Sequence, residues 1–449
     1  MHEEKGRPMA TIYKDVPHLI HETNEAQRPV DIRVSPGDRT VLRELGKRLA
    51  EAAADPVNDR RREMWSRVNR LEEARPMVWM NEVCWNEMDV DGELAPQTSG
   101  DFCQRIEIEM RQNLYQWRRM PCDMVLDAIV YSPLIVENTG FGLEIREDVI
   151  VFDPQNTVVS HRFHPQITGE EDIEKIRMPE IIHHAEQSRR THEAYCEIFD
   201  GVLEVRQAGS PGFWFAPWDI IVEWTGVEQA LLDLALRPAY IHRLVDRLVT
   251  AYLHGLNQYE EQGLLALNNR NVRIGSGAYG YTDELPTEGR PADHVRCRDI
   301  WGCATAQIFS EVSPAMHEEF ALQYERRWLE RFGLTYYGCC EPLDRKIDIL
   351  RSISNLRKIS VSPWVDMERA ASAIGRDYVV SLKPTPAVLA TDGWNLEAAR
   401  RDLEGRLQIA RRHGCPVEII MKDISTVRYD PRRLWEWAQM AVEVSERFA

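Results

Sequence analysis

Short apolar runs alternate with longer amphipathic stretches along most of this chain. The apolar runs have the length of strands, and most lack the strict apolar–polar alternation of a sheet with one solvated face. Eight of them are predicted as strands: Val78–Val83, Met124–Tyr131, Leu203–Gln207, Leu264–Asn268, Leu334–Gly338, Lys358–Ser362, Tyr378–Leu382 and Val417–Met421. Runs of this kind are typical of parallel strands that are covered on both faces.

Helical periodicity follows several of the predicted strands. Its clearest examples are Val227–Tyr252, Ser313–Phe332, Asn395–His413 and Pro431–Phe448. Alternating strands and helices predict parallel pairing through right-handed crossovers. Because eight strands allow such a sheet to close, the pattern predicts an α/β fold, a (β/α)8 TIM barrel. The alternative is an open doubly wound sheet, but no glycine-rich dinucleotide fingerprint follows the first strand.

Three segments depart from the repeating pattern. Residues 1–75 are predicted as an N-terminal arm and a helical extension, broken near Asp55-Pro56, and residues 76–449 as the barrel. Gly142–Gln166 is predicted as a small β insertion, a hairpin after strand two. Arg270–Ser310, after strand four, is predicted as a long loop rich in glycine and aromatic residues. Long loops on the carboxyl face of a barrel usually shape or cover the pocket.

Composition narrows the class of protein. The 449 residues carry a formal net charge of −17, which argues against a nucleic-acid-binding surface built from clustered Lys and Arg. No run approaches the roughly 20 apolar residues of a membrane span, and the N-terminus lacks the apolar core of a signal peptide. We therefore expect a cytoplasmic protein whose nine cysteines are reduced thiols.

The ends of the strands supply the candidate chemistry, because barrel enzymes place their active sites there. The candidates for catalysis are Glu82, Tyr337, Cys339, Cys340, Glu341, Lys422 and Asp423. The candidates for substrate binding are Asn81, Asn268, Trp301, Gln307, Trp364 and Lys383. Carboxylates suit general acid–base work, and buried lysines suit the binding of a substrate carboxylate or phosphate. The alternative role of these charged groups is a set of salt bridges that holds the rim together.

The most unusual of these elements is the Cys339-Cys340-Glu341 sequence at the end of strand five. Two thiols beside a carboxylate suit either a soft metal such as Zn²⁺ or a reactive thiolate. Adjacent side chains of an extended chain point to opposite faces, so both thiols reach one ion only if the backbone turns. Gly338 and Pro342 are compatible with such a turn. Inert structural cysteines are the remaining alternative.

The order of the segments resembles the uroporphyrinogen decarboxylase superfamily, which includes zinc-dependent methyltransferases acting on methylated corrinoid proteins. The resemblance covers the chain from about Pro76 to its C-terminus. The matching segments are RPMVWMNEV, MVLDAIVYSPLIVENTGFG, AGSPGFWFAPWDIIVEWTGVEQALLDLALRP and VSPAMHEEFALQYERRWLERFGLTYYGCCEPLDRKIDIL. Their order is specific, whereas each motif alone is degenerate.

Departures from the decarboxylase pattern separate the chain from that branch. True decarboxylases carry two arginines just after strand one, where this chain has Asn81 and Trp85. They also carry an aspartate near the end of strand two, where this chain has Tyr131-Ser132-Pro133. A pocket without those groups is not expected to bind a tetrapyrrole that bears many carboxylates.

The sequence is more similar to the methyltransferase branch, although it also departs from the zinc-binding motif of that branch. That branch binds zinc through a His-x-Cys motif after strand five and a further cysteine after strand eight. The first motif is here Tyr337-Gly338-Cys339, and Lys422-Asp423 occupies the later position. One thiolate of the zinc set is retained, and Cys340 and Glu341 are the candidate substitutes.

The resemblance implies an enzyme that moves a methyl group between a small methylated compound, or a corrinoid carrier, and an acceptor. It also implies zinc near Cys339 and Cys340, a corrinoid protein as partner, and a homodimer. Two alternatives stay open. One is a metal-free lyase or decarboxylase of a small carboxylic acid, in which Lys383 and Lys422 hold the carboxylate. The other is a binding protein that has lost the family chemistry.

Overall fold

The computed structural model describes residues 31–150 and 160–449. Most of the predicted N-terminal arm, residues 1–30, and the middle of the predicted hairpin, residues 151–159, lie outside the described residues.

The described residues form an α/β protein. Its helices are α1 Pro36–Ala53, α2 Val57–Asn69, α3 Asp101–Arg119, α4 Ala185–Phe199, α5 Pro217–Thr225, α6 Val227–Leu236, α7 Pro238–Glu261, α8 Pro314–His317, α9 Gln323–Leu329, α10 Ile347–Leu350, α11 Met367–Ile374, α12 Ala387–Ala390, α13 Leu396–Arg412 and α14 Arg432–Glu446. Its strands are β1 Met77–Met80, β2 Ile129–Pro133, β3 Val136–Asn138, β4 Glu147–Ile150, β5 Ser160–Phe163, β6 Ile181–His183, β7 Glu204–Ala208, β8 Trp301–Ala304, β9 Leu334–Tyr337, β10 Leu356–Val361, β11 Val379–Leu382 and β12 Val417–Met421.

The main sheet contains six parallel strands in the order β1-β12-β11-β10-β9-β8. The first strand thus pairs with the last, and the predicted parallel α/β architecture is confirmed. A separate parallel pair joins β2 to β7. Within residues 31–150 and 160–449 no strand ladder joins this pair to the main sheet, so the predicted eight-stranded ladder is not continuous.

Side chains make hydrogen bonds where the ladder is interrupted. Beside β1, the Asp123 carboxylate accepts the backbone N–H of Val78 at 2.7 Å. Beside β8, the Asn268 side chain accepts the backbone N–H of Trp301 at 2.9 Å and donates to its carbonyl at 3.0 Å. These bonds satisfy edge groups that a neighbouring strand would otherwise satisfy.

The prediction of a fourth strand at Leu264–Asn268 is wrong. That run makes one parallel bridge, between Leu265 and Ser210, and the regular strand is β8, inside the predicted long loop Arg270–Ser310. Both runs are largely apolar and at least half-buried, so hydrophobicity alone does not distinguish them. Strand pairing determines which run becomes the regular strand, because all four residues of β8 pair with β9.

Several smaller predictions are confirmed. Two helices, α1 and α2, are separated near Asp55-Pro56, and β4 pairs antiparallel with β5 as the hairpin after β2.

The predicted single helix Val227–Tyr252 is two helices, because α6 ends before Arg237 and α7 begins at Pro238. Proline has no N–H to continue the first helix.

The segment Val272–Tyr281, here called the inner loop, packs against the inner face of the main sheet. Its Ser276 hydroxyl lies 3.0 Å from the Tyr336 hydroxyl, and its Ala278 N–H donates to Glu418 at 3.3 Å. Lys358 donates to the Tyr279 carbonyl at 3.2 Å and pairs with Glu418 at 2.8 Å. The inner loop therefore covers the middle of the inner face of the main sheet. The polar groups at the carboxyl ends of the strands remain uncovered by it and are the candidates for a functional site.

Candidate active site at the strand ends

A tight turn after β9 brings the two adjacent thiols together. Gly338 has φ +94°, a conformation that favours glycine. The turn is held by two hydrogen bonds: the Ser360 hydroxyl donates to the Cys339 carbonyl at 2.6 Å, and the Cys339 N–H donates to Glu341 at 2.9 Å. As a result the Sγ atoms of Cys339 and Cys340 lie 3.6 Å apart.

Lys422, just after β12, approaches both thiols. Its Nζ lies 3.4 Å from the Sγ of Cys339 and 4.0 Å from that of Cys340. The hydrogen bond from Cys340 and the charge of Lys422 lower the pKa of the Cys339 thiol, against the opposing effect of burial. The same contact with Cys339, together with burial, raises the pKa of Cys340. Cys339 is therefore the more acidic thiol of the pair.

Two carboxyl groups lie beside Lys422. Glu82 follows β1 and Asp423 follows β12, and both have left-handed backbones, with φ +50° and +55°. Glu82 accepts the Asp423 N–H at 3.1 Å, and Lys422 Nζ lies 2.9 Å from Asp423 and 3.6 Å from Glu82. Such strain at non-glycine residues concentrates at functional sites. Burial and the Glu82 carboxylate raise the pKa of Asp423, against the opposing effect of Lys422.

The charges of the pair and the thiols determine the state of Lys422. Burial alone would lower its pKa, but Glu82, Cys339 and Asp423 raise it above the usual lysine value. Lys422 is therefore a permanent cation beside the sulfur. Arg273, from the inner loop, adds a second cation through its 2.9 Å ion pair with Glu82.

Lys383, just after β11, has a different environment. It is 3% exposed, and its Nζ donates to the hydroxyl groups of Tyr336 and Ser381 and to the Ser381 carbonyl. Burial lowers the pKa of Lys383 to about 7. Lys383 can therefore exchange a proton near neutral pH, which Lys422 cannot.

The predicted zinc ligands do not form a metal site. The Glu341 carboxylate is already bonded to other groups, since it accepts hydrogen bonds from the Cys339 N–H, the Thr305 hydroxyl at 2.9 Å and the Ala306 N–H at 3.3 Å. The Lys422 ammonium lies where a cation beside the thiols would sit. Over residues 31–150 and 160–449, no group of three or more His, Cys, Asp or Glu side chains is arranged to hold a metal. The set Cys339, Cys340 and Glu341 does not fit zinc.

Tyr337 does not join the thiols. Side chains alternate along β9, so Tyr336 points to the inner face and Tyr337 to the helices outside. The Tyr337 hydroxyl donates to Glu325 at 2.6 Å and lies 2.6 Å from Nε2 of His317. Burial raises the pKa of Glu325 to about 8 and lowers that of His317 to about 3, so this is a separate buried network.

Most of the other predicted binding residues also lie elsewhere. Asn268 and Trp301 are bonded to each other in the core, and the Trp301 indole donates to Gly280 at 2.9 Å. Gln307 donates to Asp219 at 2.7 Å. Trp364 is 75% exposed beyond β10. Asn81 follows β1 directly, next to Glu82, and stays at the site.

Sequence reasoning missed three groups that bear on the site. Arg273 and Ser276 belong to the inner loop, whose course cannot be read from its glycine-rich sequence. Tyr336 was passed over in favour of Tyr337, although the alternation of side chains along a strand allows only one of them to face inward. Arg273 is the only arginine in the segment Val272–Tyr281, and that was the available signal.

The arrangement has the elements of nucleophilic chemistry. It combines a thiol of lowered pKa, a cation beside it, and a pair of carboxyl groups of which Asp423 has a raised pKa. Cys340 and Asp423 are exposed, so the site opens to solvent on that side. None of the described helices is long and apolar enough to span a membrane.

Comparison with known proteins identifies the fold and nothing finer. No family model matches the chain, and no curated protein matches it. Among solved structures, a methyltransferase from Methanosarcina mazei is similar, with a TM-score of 0.50 and 12% sequence identity. The match covers 86% of this chain and 98% of that one. At this identity the two proteins share an architecture, and the chemistry has to be argued from this chain's own residues.

Proposed function

We propose that this protein is a methyltransferase in which the Cys339 thiolate takes up and releases the methyl group. The observation that carries the proposal is the 3.4 Å contact between Lys422 Nζ and Cys339 Sγ at the strand ends. The nucleophile in such chemistry is the thiolate, and an adjacent ammonium stabilises it without a metal. The shared fold with a methyltransferase supports the same reaction class.

The first step is a displacement at carbon. The Cys339 thiolate attacks the methyl carbon of a small methylated compound, an S–C bond forms, and the bond between methyl and donor breaks with its electron pair on the donor. A donor that leaves as an anion takes a proton from the Asp423 carboxyl group, which faces Cys340 Sγ at 3.8 Å.

The second step is also a displacement at the methyl carbon. A nucleophilic acceptor attacks the methyl group on Cys339, the C–S bond breaks, and the electron pair returns to sulfur as the thiolate. The proton lost by the acceptor returns to Asp423. Lys422 stays charged throughout, so its role is to stabilise the anionic sulfur before the first step and after the second.

A corrinoid on a partner protein is the second exchange partner that we propose, as methyl donor or acceptor. When bound, it would supply a methyl group that transfers without a proton. The exposure of Cys340 and Asp423 supports this proposal, because so large a group would need access to the site from solvent.

The test uses methylcobalamin as the probe. The purified, reduced protein is incubated with it, loss of the cobalt–methyl absorbance is followed, and the methyl group is located by peptide-mapping mass spectrometry. We expect one methyl group on Cys339, and none on that peptide in Cys339→Ser. Cys196→Ser, which removes an exposed thiol of α4, is the control and should react like the parent protein.

Methylation of Cys196 alone, or equal loss of absorbance in Cys339→Ser, would rule out Cys339 as the methyl-carrying group. Cys340→Ala is the second informative variant. The contact with Cys340, whose Sγ lies 3.6 Å away, lowers the pKa of Cys339, so its loss should slow methyl uptake without moving the modified position.

A further inference from the structure

Four adjacent strands of the main sheet end in polar side chains that face inward. In the sheet order β10-β11-β12-β1, the residues after the strands are Ser362, Lys383, Lys422 and Asn81. Pairing continues to this level: the Lys383 N–H donates to the Val361 carbonyl at 2.9 Å, and the Asn81 N–H to the Met421 carbonyl at 3.1 Å. The alternation of side chains therefore still holds there.

The direction of these side chains follows from residues two positions earlier. Ser360 and Ser381 face inward, where they bond to the Cys339 carbonyl and to Tyr336, so Ser362 and Lys383 face inward as well. Trp79 packs on Tyr279 of the inner loop, with ring centroids 4.6 Å apart, which places Asn81 on the same side.

Two of these groups have no hydrogen-bond partner within the described part of the chain. Among the described residues, neither the amide nitrogen nor the amide oxygen of Asn81 is bonded, and the Ser362 hydroxyl is unbonded as well. The exposed fractions of Asn81 and Ser362 are 7% and 0%. Buried polar side chains are nearly always hydrogen-bonded, so a pair of unbonded ones on one face indicates a ligand that bonds to them.

The charge of these inward-facing side chains indicates what kind of ligand they would bind. No carboxylate of the described residues lies within ion-pair distance of Lys383, although Lys422 and Arg273 each have acidic partners. The groups with unused donors are thus the Asn81 amide and the Ser362 hydroxyl, which can donate hydrogen bonds to the oxygens of a carboxylate. Lys383 adds positive charge when it is protonated, while its own N–H groups stay bonded to Tyr336 and Ser381.

We propose that Asn81, Ser362 and Lys383 form a carboxylate subsite, so that the methyl donor or acceptor is a small molecule bearing a carboxylate. The subsite lies on the strands between the end of β1 and the thiol turn after β9. A bound carboxylate would therefore present the rest of the molecule to Cys339. This inference rests on the proposed function, because it assumes that Cys339 is the reacting thiolate.

The experiment compares iodoacetate, which carries a carboxylate, with its neutral analogue iodoacetamide. Either reagent alkylates a thiolate: an S–C bond forms, the C–I bond breaks, and iodide leaves. The ratio of the two rates at Cys339 is measured by peptide mapping and divided by the same ratio at the exposed Cys196, an internal reference in the same chain. We expect this normalised ratio to favour iodoacetate at least about tenfold, the effect of a hydrogen-bonded charge pair.

Variants separate the subsite from the thiolate. Ser362→Ala, Asn81→Leu and Lys383→Met should each reduce the normalised ratio several-fold while Cys339 still reacts with iodoacetamide. Ser372→Ala, a serine of α11 away from the strand ends, should leave the ratio unchanged.

A ratio near one in the parent protein would overturn the subsite and leave the reactive thiolate intact. Failure of Cys339 to react with either reagent, while Cys196 reacts, would overturn the proposed function itself. Preference for iodoacetate that survives all three substitutions would assign the carboxylate to other residues, and this too would overturn the subsite.

Discussion

Lys383 and Lys422 show how position on the rim sets the chemistry of one residue type. Lys422 lies among anionic groups, and its pKa is raised. Lys383 lies among hydroxyl groups and a carbonyl, and burial lowers its pKa to about 7. Both positions were predicted from the sequence because both lysines follow strands. Their different protonation states were not predictable, because they depend on partners from β1 and β9.

Lys383→Met should stabilise the protein in a pH-dependent way. In the unfolded chain the amine stays protonated to about pH 10.5, whereas in the folded protein it is deprotonated above about pH 7. The unfolded chain therefore binds more protons between these values, and the free energy of unfolding of the parent protein rises with pH across this window. Below pH 7 the full cost of burying the ammonium is present, and methionine removes it.

Urea unfolding of the parent and Lys383→Met proteins at about pH 6 and about pH 10 measures this effect. The advantage of the methionine variant should be larger at the lower pH by roughly 2–5 kcal/mol. An advantage that is the same at both pH values would mean that Lys383 does not change its protonation on folding.

Single elements were predicted well where a local rule applies. The break between α1 and α2, the hairpin of β4 and β5 and the strands β9 to β12 follow from proline, turn residues and apolar runs. Strand four was misplaced because Leu264–Asn268 and Trp301–Ala304 have the same local character. Only their pairing with neighbours distant in sequence separates them.

The inner loop is the element that sequence reasoning placed least well. It was predicted as a cover on the carboxyl face, yet its glycines approach the interior side chains closely. A Cβ at Gly277 would lie 2.5 Å from a Glu418 oxygen and 2.6 Å from a ring carbon of Tyr336. Such contacts are visible only after the chain has folded back into the sheet.

Gly277→Ala tests this packing against a matched control. The clash with Tyr336 and Glu418 should lower the free energy of unfolding by about 1–3 kcal/mol. Gly405→Ala in α13 meets nothing within 4 Å, and in a helix interior it should stabilise the protein by about 0.5–1 kcal/mol. Both values come from urea unfolding. Equal effects of the two substitutions would show that the inner loop does not pack on the interior side chains.

At the scale of the whole molecule, pairing between the first and last strands of the chain assembles the site. Glu82 follows β1, Lys422 and Asp423 follow β12, and the pairing of these two strands brings them together. The sequence predicted this convergence because parallel strands end on one edge. It did not predict that Lys422, rather than a metal, would lie beside the thiols, since that depends on a turn at Gly338 and on side-chain direction.

The pH dependence of Cys339 alkylation by iodoacetamide, in the parent protein and in Lys422→Met, tests most directly whether Lys422 holds the thiolate. The control is Lys47→Met, which removes an exposed lysine of α1. We predict a midpoint below the usual thiol value of 9.0 in the parent and control proteins, and a clear upward shift in Lys422→Met. The same midpoint in all three proteins would contradict the account.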